Sequence, residues 1–91
     1  MINNINSYKY ISTATTTQVF TGACTLVAIV VNTSAAGTIG IIDGVSGTTV
    51  NVGQLKSSVA EGTYKYQVTM AQGIRIVTGA ASDITIVYRV H

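Results

Sequence analysis

From Tyr8 onward, runs of β-branched and apolar residues recur about every ten positions, each closed by Gly, Asn, Asp or Ser. Tyr8 to Ser12 alternates, and Thr15 to Thr21 follows, centred on Val19 and Phe20 and broken by Gly22. Thr25 to Thr33 holds the most apolar run, LVAIVV, and ends in a turn over Asn32 to Gly37. Thr38 to Asp43 and Thr48 to Val52 flank a second turn, Asp43 to Gly47. Gly53 to Gly62 is the least regular stretch, a loop or helical turn around Leu55 and Lys56. Thr63 to Met70 puts Tyr64, Tyr66, Val68 and Met70 on one face and Thr63, Lys65, Gln67 and Thr69 on the other. Gly73 opens Ile74 to Thr78, and Asp83 to Val90 is the last strand. No window keeps a helical period. The pattern predicts an all-β chain: a single antiparallel β-sandwich of about eight strands, jelly-roll-like or Ig-like. It covers residues 8–91, and residues 1–7, rich in Asn, form an N-terminal arm in which Ile2 and Ile5 stand alone as candidate anchors.

Two strands break the alternation expected when one face is wet. Leu26 to Val31 is apolar throughout, and Ile39, Ile41 and Ile42 occupy both faces. The second face then needs a cover, and a second copy of the chain is the simplest one, since each buried Val or Ile contributes roughly 1.5–3 kcal/mol. Val30 reads as core, so Val30→Asp is expected to abolish folding. Composition strengthens the case for assembly: 47% of residues are hydrophobic, only 9% are charged, and there is no Pro or Trp. So little charge leaves strand edges poorly protected in a lone monomer.

The net charge is +2, with Lys9, Lys56, Lys65, Arg75 and Arg89 scattered. No basic cluster matches a phosphate backbone, so nucleic acid is not an expected partner. The opening MINNINSYKY has no basic stretch followed by an apolar run, which predicts no export leader. Leu26 to Val31 falls far short of the ~20 residues that span a bilayer, so no membrane partner is expected.

Candidate chemistry is sparse. Cys24 is the only cysteine and opens an apolar strand, where a thiol acts as a small hydrophobe. His91 is the only histidine and ends the chain, a poor place to hold an imidazole rigid for a Ser-His-Asp arrangement with Asp43 or Asp83. No spacing resembles a zinc site, and Asp43-Gly44 is too poor in carboxylates for a calcium loop. Asp43, Glu61 and Asp83 sit where turn-forming acids do, although a carboxylate pair can in principle cleave glycosides. Gly37, Gly40, Gly44 and Gly47 do not make a phosphate loop. The chain is therefore expected to be no enzyme, with no catalytic residue, metal or cofactor. Tyr8, Tyr10, Tyr64, Tyr66 and Tyr88 are candidate interface residues, because tyrosine brings large area and a polar tip. Core or cross-strand packing is the competing role for Tyr64 and Tyr66.

Taken in order, YKYIS with the Thr-rich TATTTQVFTG, LVAIVVNT, GTIGIIDG, GTYKYQVTMAQGIRIVTG and ASDITIVYR resemble a group of small virion proteins of tailed bacteriophages. The likeness runs from Tyr8 to Arg89. It implies a non-enzymatic structural protein, a capsid decoration or cement protein on the particle surface, assembled in the host cytoplasm. The implied partners are copies of itself, as a homotrimer, and the major capsid protein. On that reading Ile2→Ser and Ile5→Ser spare folding and weaken docking only. The alternative is a tail- or fibre-associated module that binds host-surface carbohydrate, with Tyr8, Tyr10 and Asn32 as its platform.

Overall fold

The computed structural model describes residues 6–45 and 48–91. The strands are β1 (Ser7–Ile11), β2 (Thr16–Thr21), β3 (Cys24–Thr33), β4 (Ile39–Val45), β5 (Thr48–Leu55), β6 (Gly62–Met70), β7 (Gly73–Thr78) and β8 (Asp83–Val90). They form two four-stranded sheets, β1-β8-β3-β6 and β2-β7-β4-β5. All pairings are antiparallel. Ile2 and Ile5 lie outside the described residues.

The topology has a simple origin. β1 pairs β8, β2 pairs β7, β3 pairs β6 and β4 pairs β5. The chain is thus one long antiparallel hairpin, closed between β4 and β5 and rolled up so that β8 meets β3 and β7 meets β4. Successive strands switch sheets except at β4–β5. This is the eight-stranded jelly roll rather than the Ig-like arrangement. Gly53 to Leu55 extends β5 instead of opening the loop, and Asp43 to Val45 extends β4 instead of starting the turn.

The missing alternation in β3 has a local cause. Leu26 lies opposite Tyr88 and Ala28 opposite Val87, so Val27 is an extra residue, a bulge. The bulge moves the inward phase by one position: Leu26, Ile29 and Val31 are buried, while Val27 and Val30 are half-buried. The apolar run is therefore one alternating strand with a phase step, not a strand buried on both faces. Val30 lies opposite Thr85 and Thr63 and shares their outer face. This overturns the expectation that Val30 belongs to the core. The core is built mainly from Leu26, Ile29, Ile41, Ile74, Ile76 and Ile86.

One end of the sandwich is held by polar side chains. The Asp43 carboxylate, on β4, accepts the backbone N–H groups of Ala71 (3.0 Å), Gln72 (2.9 Å) and Gly73 (3.4 Å) in the crossover from β6 to β7. Beside it the Gln18 amide reaches the carbonyls of Phe20 (3.0 Å), Gly44 (3.0 Å) and Ile74 (3.2 Å), where β2 bulges between Gln18 and Phe20. Partial burial pushes the Asp43 carboxyl's pKa up, but the three backbone donors outweigh it and leave it below the ordinary range. A depressed folded pKa contributes stability above the unfolded value of about 3.9 and loses it as pH falls through the folded value. Asp43→Asn should therefore cost about 1 kcal/mol at neutral pH, a charge-assisted acceptor at a partly wet site. The loss should shrink below about pH 4. Denaturant midpoints across pH check both.

Candidate functional site

Cross-strand partners share a face, so the registers define the outer surface of the β1-β8-β3-β6 sheet. Tyr10 lies opposite Thr85, and Thr85 opposite Val30; Tyr8 lies opposite Val87, and Val87 opposite Ala28. Ile11 and Ile84 form the neighbouring inward pair. Tyr8 and Tyr10 thus stand outward on the edge strand, 72% and 51% exposed.

The ring of Tyr10 is tethered. Its hydroxyl donates to Asp83 Oδ2 at 2.7 Å. Asn32, from β3, donates from Nδ2 to Asp83 Oδ1 at 3.2 Å and to Thr85 Oγ1 at 3.3 Å. Three strands therefore meet in one polar network beside two exposed aromatic rings. The Asp83 bond pushes the Tyr10 phenol's pKa up, so it stays a donor. The other end of the same face carries Arg89, whose Nε donates to Asn6 Oδ1 at 3.1 Å.

The other three candidate tyrosines are placed differently. Tyr64, Tyr66 and Tyr88 are half-buried against the core. The Tyr64 hydroxyl donates to the Ala60 carbonyl. Tyr66 lies over Gly53, where a side chain would press on its ring. Tyr88 packs across the sandwich on Phe20, with ring centroids 5.6 Å apart. The five tyrosines are therefore two outward rings and three packed ones, with no single shared surface.

Glu61 and His91 have structural partners. Glu61 accepts the Ser34 N–H at 3.2 Å. His91 Nε2 lies 2.6 Å from Thr25 Oγ1. Cys24 is fully buried, and burial, then the Asp43 charge, push its thiol up and keep it protonated. Among the described residues no group of three His, Cys, Asp or Glu side chains is placed to hold a metal. An open depression of about 320 Å³ on β4 and β5 is lined by Gly40, Ile42, Asn51, Val52, Gly53 and Gln54, without a charged or nucleophilic side chain.

Sequence reasoning singled out Tyr8, Tyr10 and Asn32. It missed Asp83 and Thr85, which read as turn and strand residues until the register set them beside Tyr10.

The fold and this surface define a jelly-roll β-sandwich with a tyrosine-bearing outer sheet. Among solved structures it is similar to a Drosophila NLP core, described for pentamer formation and histone binding, with a TM-score of 0.61 at 7% sequence identity, covering 92% of this chain and 95% of that one. At that identity the likeness establishes the fold alone. No family model and no curated relative matches the chain.

Proposed function

We propose that this chain is a non-enzymatic structural protein of a tailed-bacteriophage particle, a homo-oligomeric decoration protein that binds and stabilises the assembled capsid shell. The observation that carries the assembly part is the β5 edge. Open sheet edges invite strand addition unless charge or irregularity blocks them. On β1, Lys9 lies opposite the buried Ile86 and so sits on the inner face at the edge. β2 keeps its Val19 and Phe20 half-buried against the core, and β6 carries Lys65. β5 bulges at Val52, the extra residue between Gly53 opposite Ile41 and Asn51 opposite Ile42, but it has no charged residue over Thr48–Leu55, and its Val50 and Val52 are 52% and 36% exposed.

Copies that meet through β5 would cover these valines and make a ring that presents one repeated face to the shell. Many modest contacts then add through avidity. Pentamer formation described for the Drosophila core and the ordered likeness to small virion proteins both support this reading. The number of copies, three by the virion likeness, is read by sedimentation.

Val50→Lys/Val52→Lys should leave the fold intact by circular dichroism, convert the oligomer to monomer in sedimentation velocity, and lower occupancy on undecorated shells at least tenfold by electron microscopy. A wild-type chain that stays monomeric at high concentration and leaves such shells bare overturns the proposal.

A further inference from the structure

We infer that the outer face around Tyr10 is a binding site for neutral oligosaccharides. Three features on this face converge on that ligand. First, Tyr8 and Tyr10 present largely exposed rings on one side of β1, two residues or about 7 Å apart along the strand. A pyranose has an apolar C–H face that covers an aromatic ring, and two rings at this separation serve adjacent units of a chain. Second, the Tyr10 ring is held before anything binds, by its 2.7 Å bond to Asp83. A ring already fixed loses little freedom on binding.

Third, acceptors remain beside the rings. An ionised carboxylate offers about four lone-pair sites, and Asp83 uses two, on Tyr10 and Asn32. The Asn32 amide donates to Asp83 and Thr85, which leaves its carbonyl oxygen to accept. Acceptors in this arrangement suit adjacent sugar hydroxyls. Asp83 disfavours an acidic unit beside Tyr10, whereas Arg89 lies at the other end of the face, so the ligand proposed for the Tyr10 end is neutral. An open sheet face also admits a chain end to end, which a closed pocket does not.

This face is remote in sequence and register from β5, so sugar binding and oligomer formation fail separately. The test is titration of the purified chain with cellotetraose, maltotetraose and chitotetraose, read by shifts of the Tyr8 and Tyr10 ring resonances. The expected result is saturable millimolar binding of at least one of them. Tyr8→Ala and Tyr10→Ala should each weaken it at least fivefold, and Asp83→Asn should weaken it by a similar factor. Tyr10→Phe, which keeps the ring and removes the tether, should fall between wild type and Tyr10→Ala. Lys56→Ala, on an exposed loop, should bind as wild type, and thermal melts confirm that each variant is folded.

No saturation by any of the three sugars overturns the inference. Binding that survives both alanine variants overturns it too, because the sugar then sits elsewhere. Loss of the oligomer in Tyr8→Ala without sugar binding in wild type would make this face a contact between copies instead.

Discussion

Gly73→Ala is expected to cost about 3–5 kcal/mol, which is comparable to the whole stability of many domains of this size. Two independent effects combine there. Gly73 has φ +149°, which side chains rarely adopt, and a Cβ would overlap the Phe20 carbonyl oxygen across the β2–β7 pair. The backbones cannot separate cheaply, because Asp43 holds the Gly73 N–H and Gln18 holds the carbonyls of Phe20 and Ile74. Gly62 supplies the control. Its φ is +148°, yet nothing lies within 4 Å of a Cβ placed on it. Gly62→Ala should therefore show the conformational cost alone, about 1–2 kcal/mol. Denaturant melts at one fixed protein concentration compare the two. Equal losses would mean that the close approach of Gly73 to β2 contributes nothing.

Neighbouring residues of β3 should respond in opposite ways to the same charge. Ile29→Asp should prevent folding, because Ile29 is fully buried between Ile86 and Tyr64 on the flanking strands. An unpaired carboxylate has no partner there. Ile29→Ala is the measurable form, with an expected loss of about 3–4 kcal/mol for a large-to-small core change. Val30→Asp should leave the protein folded with a loss of about 1 kcal/mol, since Val30 is half-buried on the outer face beside Thr85 and Thr63. Soluble yield, circular dichroism and melting of the three variants decide the matter. Collapse of Val30→Asp would show that the outer face of β3 is covered.

The β3 result illustrates why part of the fold was legible and part was not. Strand positions follow from period, β-branching and Gly or Asn punctuation, all local properties, and the eight segments lie where those signals put them except that β4 and β5 run on through residues that read as turn and loop. A bulge is not local. Val27 is an extra residue only relative to β8, so the run Leu26 to Val31 looks two-sided until the partner strand is present. The same applies to Asp43. Next to Gly44 it reads as a turn former, yet its carboxylate holds a crossover 28 to 30 positions away.

The candidate site divides along the same line. Tyr8 and Tyr10 alternate with Lys9, so their sharing of a face was readable, as was the apolar pairing of Tyr64 and Tyr66. Which of the two pairs faced water was not, because burial depends on the sheet packed opposite.

By itself, then, the amino-acid order determined an all-β chain, its strand positions and the scarcity of charge that points to assembly, because period, propensity and composition act over a few residues. Only the tertiary structure decided the jelly-roll connectivity, the phase of β3 and the meeting of Tyr10 with Asp83, 73 positions apart. Those outcomes depend on which strands pair when the long hairpin rolls up, and no short stretch of chain carries that information.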